Sequence, residues 1–391
     1  MSEPPLMTVS RLVSGQGSPH DIPDSRWSQI VECAIQNGLG PMLLWTLKQA
    51  DYSIQHIPAL RPLVESAHQS AMTVALQERA QHDVNAALNA AGIPALWLKG
   101  AALARSVYPE PALRPMGDLD VLVPYDRREE ALAVVQAQGF DFTMIESLKW
   151  RSTGDELMLK LNPHHYHLRG GVGGQVILEL HCRLLGGDDS LLSLEQLAWF
   201  WSQTQTLRLD DGTAFDGLTP EAHLLYLAAH AIVQHGEDNV YLLRYFDLHR
   251  LITQHRLDWD TVIDQAVVLE WTFVVERALR HAVAYFATPV PGAIFEQLVS
   301  RRPAHEDIAR VQRLQGHGSR WERVRRKSSS LSAQEKRRFV FQVLFPTRAY
   351  MRKRYRVRPG WPVWPYYVYR WWDQGTDMLW SIGKRLSGRY K

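Results

Sequence analysis

Cysteine is scarce in this sequence. Cys33 and Cys182 are the only two among 391 residues. That excludes a disulfide scaffold and a four-cysteine zinc site, and makes a reducing cytoplasm the expected setting. Long hydrophobic runs are also lacking. No stretch of about 18 apolar residues occurs, the length a bilayer-spanning helix needs. The opening MSEPPLMTVSRLVSGQGSPHD holds no apolar core of signal-peptide length. Acidic residues are depleted in one region only. Residues 301–391 carry 23 Lys+Arg against 6 Asp+Glu, net +17, whereas 1–300 carry 21 against 35, net −14. Such asymmetry points to an anionic partner or to docking of the two parts on each other. With 46% hydrophobic and 22% charged residues, the rest is a core-forming composition for two or three structural units.

The Ser-, Pro- and Gly-rich stretch 1–23 reads as a flexible N-terminus, and 24–92 as a helical region. A long helix is expected over 63–91, with Met72, Leu76, Ala80, Val84 and Leu88 as its core stripe and Gly92 as its stop. The texture then changes to mixed α/β over 93–215. Residues 93–98 form a short apolar strand, Lys99-Gly100 lead into a short helix, and Leu119, Val121 and Val123 alternate in a second strand. A helix is expected over 127–138. Strands starting at His164 and Gln175 flank a Gly-rich turn containing Gly170, Gly171, Gly173 and Gly174. A smaller hairpin has Asp210, Asp211 and Gly212 at its tip, after Leu209. From Thr219-Pro220 the chain reads as helical through about 345, and 346–391 is a basic, aromatic tail.

The segment with the clearest chemistry is Arg114-Pro115-Met116-Gly117-Asp118-Leu119-Asp120. Residues two apart in a strand share a face, so Asp118 and Asp120 stand side by side while Leu119, Val121 and Val123 bury the other face. Two carboxylates at about 4 Å repel by about 4 kcal/mol at an effective dielectric near 20. A shared proton, a Lys or Arg, or a divalent ion must offset this, and hard oxygens suit magnesium or manganese. Upstream, strand, Lys99-Gly100 and helix place backbone N–H groups where a phosphate could rest. Glu179 is a third acid, set inside the apolar strand Val176-Ile177-Leu178-Glu179-Leu180-His181, and a buried acid needs a partner.

The run Leu98-Lys99-Gly100-Ala101-Ala102-Leu103, Tyr108-Pro109, Arg114 to Val123 and the later Leu178-Glu179-Leu180-His181 together resemble the uncharacterised bacterial nucleotidyltransferases of the DNA polymerase beta-like superfamily. The likeness covers roughly 70–260. It implies a polymerase-beta-like core, a small mixed sheet with helices at 93–215, embedded in N- and C-terminal helical regions. It implies magnesium-dependent transfer of a nucleoside monophosphate from a nucleoside triphosphate to a hydroxyl of a small molecule, peptide or protein. Asp118 and Asp120 match the metal-binding pair and Glu179 the third acid. Gly100 matches the phosphate-loop glycine, with Ala101 where superfamily members carry Ser or Gly, so that Lys99 or Arg114 would supply charge. A phosphotransferase on the same acids, or a catalytically silent nucleotide- or anion-binding module, remain open alternatives.

Other residues have two readings each. If the hairpin centres on Val172, His165 faces Glu179, with His167 and His181 near it, an active-site or transition-metal arrangement as opposed to strand surface. The glycine turn either approaches phosphate or is a plain hairpin. His223, Leu227 and His230 share a helical face, with packing preferred over pocket lining, and Arg244 with Asp247 forms an expected i,i+3 ion pair. In the tail, Arg352, Lys353, Arg354, Arg356 and Arg358 precede Trp361, Trp364, Trp371, Trp372 and Trp380. This pattern suits docking on the acidic body, membrane-surface contact or nucleic-acid contact through 350–391.

Overall fold

The structure, a computed structural model, describes residues 3–143, 165–185, 192–208, 212–236, 240–304 and 332–372. His164, Leu209, Asp210, Asp211 and Trp380 lie outside the described residues. Four helices come first: α1 (Pro5–Val13), α2 (Trp27–Gln36), α3 (Gly40–Gln49) and α4 (Arg61–Ala90). The mixed region follows as β1 (Leu96–Leu98), α5 (Lys99–Ser106), β2 (Leu119–Leu122), α6 (Arg128–Ala137), β3 (Asp141–Phe142), β4 (His165–Gly170), β5 (Val176–His181), α7 (Leu194–Ser202), β6 (Thr204–Arg208) and β7 (Ala214–Leu218). Helices α8 (Pro220–Ala229), α9 (Leu242–Gln254), α10 (Trp259–Val268), α11 (Thr272–Phe286) and α12 (Gly292–Ser300) complete the body, and α13 (Ala333–Leu344) and α14 (Arg348–Arg354) begin the basic segment. Among the described residues no helix is long and apolar enough to cross a membrane.

The strands form one mixed sheet in the order β3-β4-β5-β2-β1-β7-β6. The β1–β7 and β2–β5 pairs are parallel and the others antiparallel. This is the small mixed sheet with flanking helices that the resemblance implies. Period 2 sorts its side chains onto two faces. Trp97, Leu119, Val121, Leu168, Leu178 and Leu180 pack with Val84 and Leu88 of α4 and Val135 of α6. Leu96, Leu98, Leu122 and Leu218 join the larger core built from α1–α3 and α8–α12. The acids of interest stand on this second face.

Two expectations fail here. The first 23 residues are not loose throughout, because α1 buries Val9 and Leu12 completely in the larger core. The α4 stripe holds only in part: Ala80, Val84 and Leu88 are buried, but Met72 is 67% exposed, and Leu63, Ser70, Val74, Gln77, Gln81 and Asn85 share the buried face. Four of these nine are polar because they hold the chain beneath them. Ser70 Oγ donates to Ala112 O (2.7 Å), Gln77 Nε2 to Met116 O (3.1 Å) and Gln81 Nε2 to Ala101 O (3.2 Å), while Trp97 Nε1 donates to Asn85 Oδ1 (2.9 Å). An apolar count misses such a stripe.

The expected Arg244–Asp247 pair is replaced by a long-range one. Asp247 on α9 accepts from Arg114 Nη2 at 2.7 Å and from the Tyr108 hydroxyl at 2.7 Å, all three being largely buried. Arg250, one turn on, donates twice to Val107 O. These contacts fasten the helical body to the loop that carries Asp118. Breaking one side of a buried ion pair typically costs about 3–5 kcal/mol. Asp247→Ala should therefore lower the urea midpoint by an amount equivalent to about 3 kcal/mol or more, read by tryptophan fluorescence; a loss below about 1 kcal/mol would show that the link is not structural.

Candidate active site

The sheet register brings the site together. In the parallel β2–β5 pair Asp120 lies opposite Glu179 and Leu122 opposite His181. In the antiparallel β4–β5 pair His167 lies opposite Glu179 and His165 opposite His181. One row, Asp120–Glu179–His167, thus crosses three strands, and His181 and His165 stand in the next row on the same face. Asp118 sits just before β2, half-buried. The expected His165–Glu179 pairing is corrected to His167–Glu179. The hairpin centres on Gly173, because Gly171, Gly173 and Gly174 all take positive φ around a short 3-10 turn, Val172–Gly174. Moving the centre by one residue shifts pairing by two, so every side chain keeps its face. Gly171 lies against Val176 and Ala80 of α4, on the side away from the acids.

Asp120 and Glu179 are 2% and 9% exposed, so their charges need partners. Lys99 Nζ is 2.7 Å from Asp120 Oδ1. His181 Nε2 lies between the acids, 2.8 Å from Asp120 Oδ1 and 3.2 Å from Glu179 Oε2. His167 Nε2 is 2.5 Å from Glu179 Oε1, and His165 Nε2 is 3.9 Å away. These groups set the protonation states. Burial alone would raise Asp120, but the Lys99 ammonium and the His181 hydrogen bond outweigh it and hold Asp120 below its usual range. Glu179 is likewise held low against burial by His167 and His181. Burial favours neutral His181, yet its bonds to Asp120 and Glu179 raise it above an ordinary histidine. Lys99 stays charged because Asp120 overcomes burial. Asp118 differs: burial, then repulsion from Asp120 and Glu179, push it up to about 6.

Lys99 reaches Asp120 from the first position of α5, with φ +46, rare for a residue with a Cβ. The conformation turns the chain from β1 into α5 so that the start of that helix adjoins the acids. Gly100 follows for a steric reason. A Cβ there would collide with Arg114 Nη1 and come within 2.7 Å of Met116 Cγ. Arg114, a candidate phosphate ligand, is packed over Gly100 and bound to Asp247. Ala101 is buried in the sheet–α4 core.

Sequence reasoning undervalued the roof. Tyr226 and His230 lie on and just after α8. Tyr226 is fully buried within electrostatic reach of Lys99, Asp120 and Glu179, and its hydroxyl is pushed above its usual range, chiefly by burial. His230 opens a π-helical turn, His230–Gln234, a feature frequent at functional sites. Its Nε2 is 3.3 Å from His235 Nε2. Burial, then Lys99, hold His230 well below an ordinary histidine, hence neutral. His223 is held down to about 3, mainly by burial and then by the Arg114 charge. The i, i+4, i+7 spacing of His223, Leu227 and His230 was the available signal, but spacing alone cannot separate packing from a lining role.

The sheet sets Asp118 just before β2, Asp120 within it and Glu179 on the parallel neighbour, with α5 starting beside them. Residues 23–287 match the family described as uncharacterised nucleotidyltransferase, and the chain belongs to that family. No curated protein and no solved structure matches it. The chain is therefore an enzyme of the nucleotidyltransferase class.

Asp118 gives this site a measurable pH signature. Its folded-state value near 6 exceeds the unfolded value of 3.8, so ionising it opposes folding as pH rises from about 4 to 6. At 1.36 kcal/mol per unit this amounts to about 2–3 kcal/mol. Asp118→Asn should stabilise the metal-free protein by an amount of that order at pH 7.5 and by little at pH 3.5, measured by denaturant unfolding; equal effects at both pH values would contradict it.

Proposed function

We propose that this enzyme transfers a nucleoside monophosphate from a nucleoside triphosphate to a hydroxyl of a small molecule, peptide or protein, with magnesium or manganese as the metal. The observation that carries this reading is the register of Asp120 opposite Glu179 on one sheet face, with Asp118, two residues before Asp120, in electrostatic reach of both. Their oxygens fit a hard divalent ion, which when bound would neutralise triphosphate charge. Asp118 and Asp120 would hold it with the triphosphate. Glu179 would complete the site and accept the acceptor hydroxyl's proton as that oxygen attacks the α-phosphorus and pyrophosphate departs. Lys99, Gly100 and Ala101 at the start of α5 would hold phosphate. Arg114 would act at one remove, by seating Gly100 and the Asp118 loop, since Asp247 takes its charge.

Incubation of the full chain with α-labelled triphosphates, magnesium and cell extract should label an acceptor. Asp118→Asn and Asp120→Asn should each lower labelling by about 100-fold or more, corresponding to about 3 kcal/mol of lost transition-state stabilisation. Equal labelling by wild type and both variants would reject the assignment. Label from the γ-position instead would indicate a phosphotransferase.

The basic tail supports a second interaction. Trp361, Trp364 and Trp372 are 54%, 68% and 66% exposed, so these side chains are not docked on the acidic body. Arg352, Arg354, Arg356 and Arg358 are exposed nearby, a combination suited to an anionic membrane surface. The full chain should co-sediment with vesicles containing phosphatidylglycerol, not with neutral vesicles, and Trp364→Ala/Trp372→Ala should weaken this several-fold. Binding to single-stranded RNA without vesicle binding would overturn the membrane reading.

A further inference from the structure

Imidazole nitrogen is a poor ligand for magnesium and a good one for the later first-row divalent ions. This sheet places several imidazoles around one carboxylate. His165 and His181 are register partners on β4 and β5, so their rings leave the same face, with centroids 5.0 Å apart. Glu179 stands two residues before His181 on that face, 3.2 Å from His181 Nε2 and 3.9 Å from His165 Nε2. One donor atom from each of the three lies within 4.8 Å of the other two. All three sit on laddered strands, which fixes the set before any ion arrives.

Two further contacts orient the donors as supporting groups do in metal sites. The His181 Nδ1 faces Arg183 O at 3.4 Å, which leaves Nε2 directed at the acids. His167 Nε2, 2.5 Å from Glu179 Oε1, steadies the carboxylate. His181 Nε2 also lies 2.8 Å from Asp120 Oδ1. The imidazole nitrogen and both carboxylates thus converge on one point.

We propose that His165, His181 and Glu179 form a two-histidine, one-carboxylate site for a borderline divalent transition ion, of the cobalt or zinc class, in preference to magnesium. Three protein ligands leave positions open for water or substrate oxygen, as in catalytic sites. The proposal deepens the transferase reading, and rests on it in placing the ion beside Asp118 and Asp120.

Cobalt(II) is the probe. The full chain, stripped with chelator and titrated with cobalt, should develop visible d–d absorption, and a large excess of magnesium should not remove it. His165→Gln and His181→Gln, checked for folding by circular dichroism, should weaken cobalt binding about 10-fold or more, while His56→Gln should not. Displacement by magnesium at concentrations comparable to cobalt would overturn the proposal, as would wild-type affinity in both site variants. Should His181→Gln fail to fold, the half-buried His165 and the magnesium competition still decide. Histidine-dependent cobalt binding in a chain that labels no acceptor would remove the transferase reading and leave this site standing. Labelling with magnesium but without histidine-dependent cobalt binding would remove this proposal alone.

Discussion

The structure depends on how it tolerates two carboxylates on neighbouring strands inside a protein. Asp120 and Glu179 are register partners in the parallel β2–β5 pair and nearly inaccessible to water. Left alone they would repel by several kcal/mol, and each would incur a desolvation cost. Lys99 on one side and His181 between them turn this liability into a fixed network. Much of the local architecture follows from that requirement. The left-handed turn at Lys99 delivers its ammonium, the β4–β5 hairpin delivers His167, and α8 with its π-helical turn closes the face from above.

The same requirement explains why the sheet has two unlike faces. One is a mainly apolar layer against α4 and α6, where Leu119, Val121, Leu178 and Leu180 supply burial and Asn85 of α4 takes the Trp97 indole N–H. The other mixes Leu96, Leu98 and Leu122 with the acids and histidines, so it cannot simply be covered by oil. The helical body is held to it through directional contacts, Asp247 to Arg114 and Tyr108 and Arg250 to Val107. From beneath, Gln77 grips the carbonyl of Met116 just before the acidic strand, and Gln81 that of Ala101 in α5. Position is set by hydrogen bonds where charge must be aimed, and by packing elsewhere.

Much of this was legible in the sequence. The Asp-x-Asp strand, the odd acid Glu179 in an apolar run and the Lys99-Gly100 turn each violate a local pattern, and each lies in the site. The misses share one cause, partners distant along the chain. Asp247 looked paired with Arg244 because i,i+3 spacing was the only partner visible, whereas Arg114, 133 residues away, has the better geometry. Met72 looked like core because Gln77, Gln81 and Asn85 did not, their partners being backbone carbonyls and the Trp97 indole, which a periodicity count cannot see. The hairpin centre was misplaced by one residue, yet the facing of His165 and His167 survived because pairing then slips by an even number. Tyr226 and His230 were undervalued because nothing in a helix repeat says which sheet face it will roof.

The parallel pairing of β2 with β5 has a consequence for biosynthesis. Its ladder joins residues far apart in the chain, with α6 and β3–β4 emerging in between. Pairings of such high contact order close late, after shorter-range structure has formed. While β5 is still inside the ribosome, Asp118 and Asp120 have no third acid beside them and no His181 to bridge to it. A nascent chain therefore lacks the Asp120–Glu179 pair until the sheet is complete.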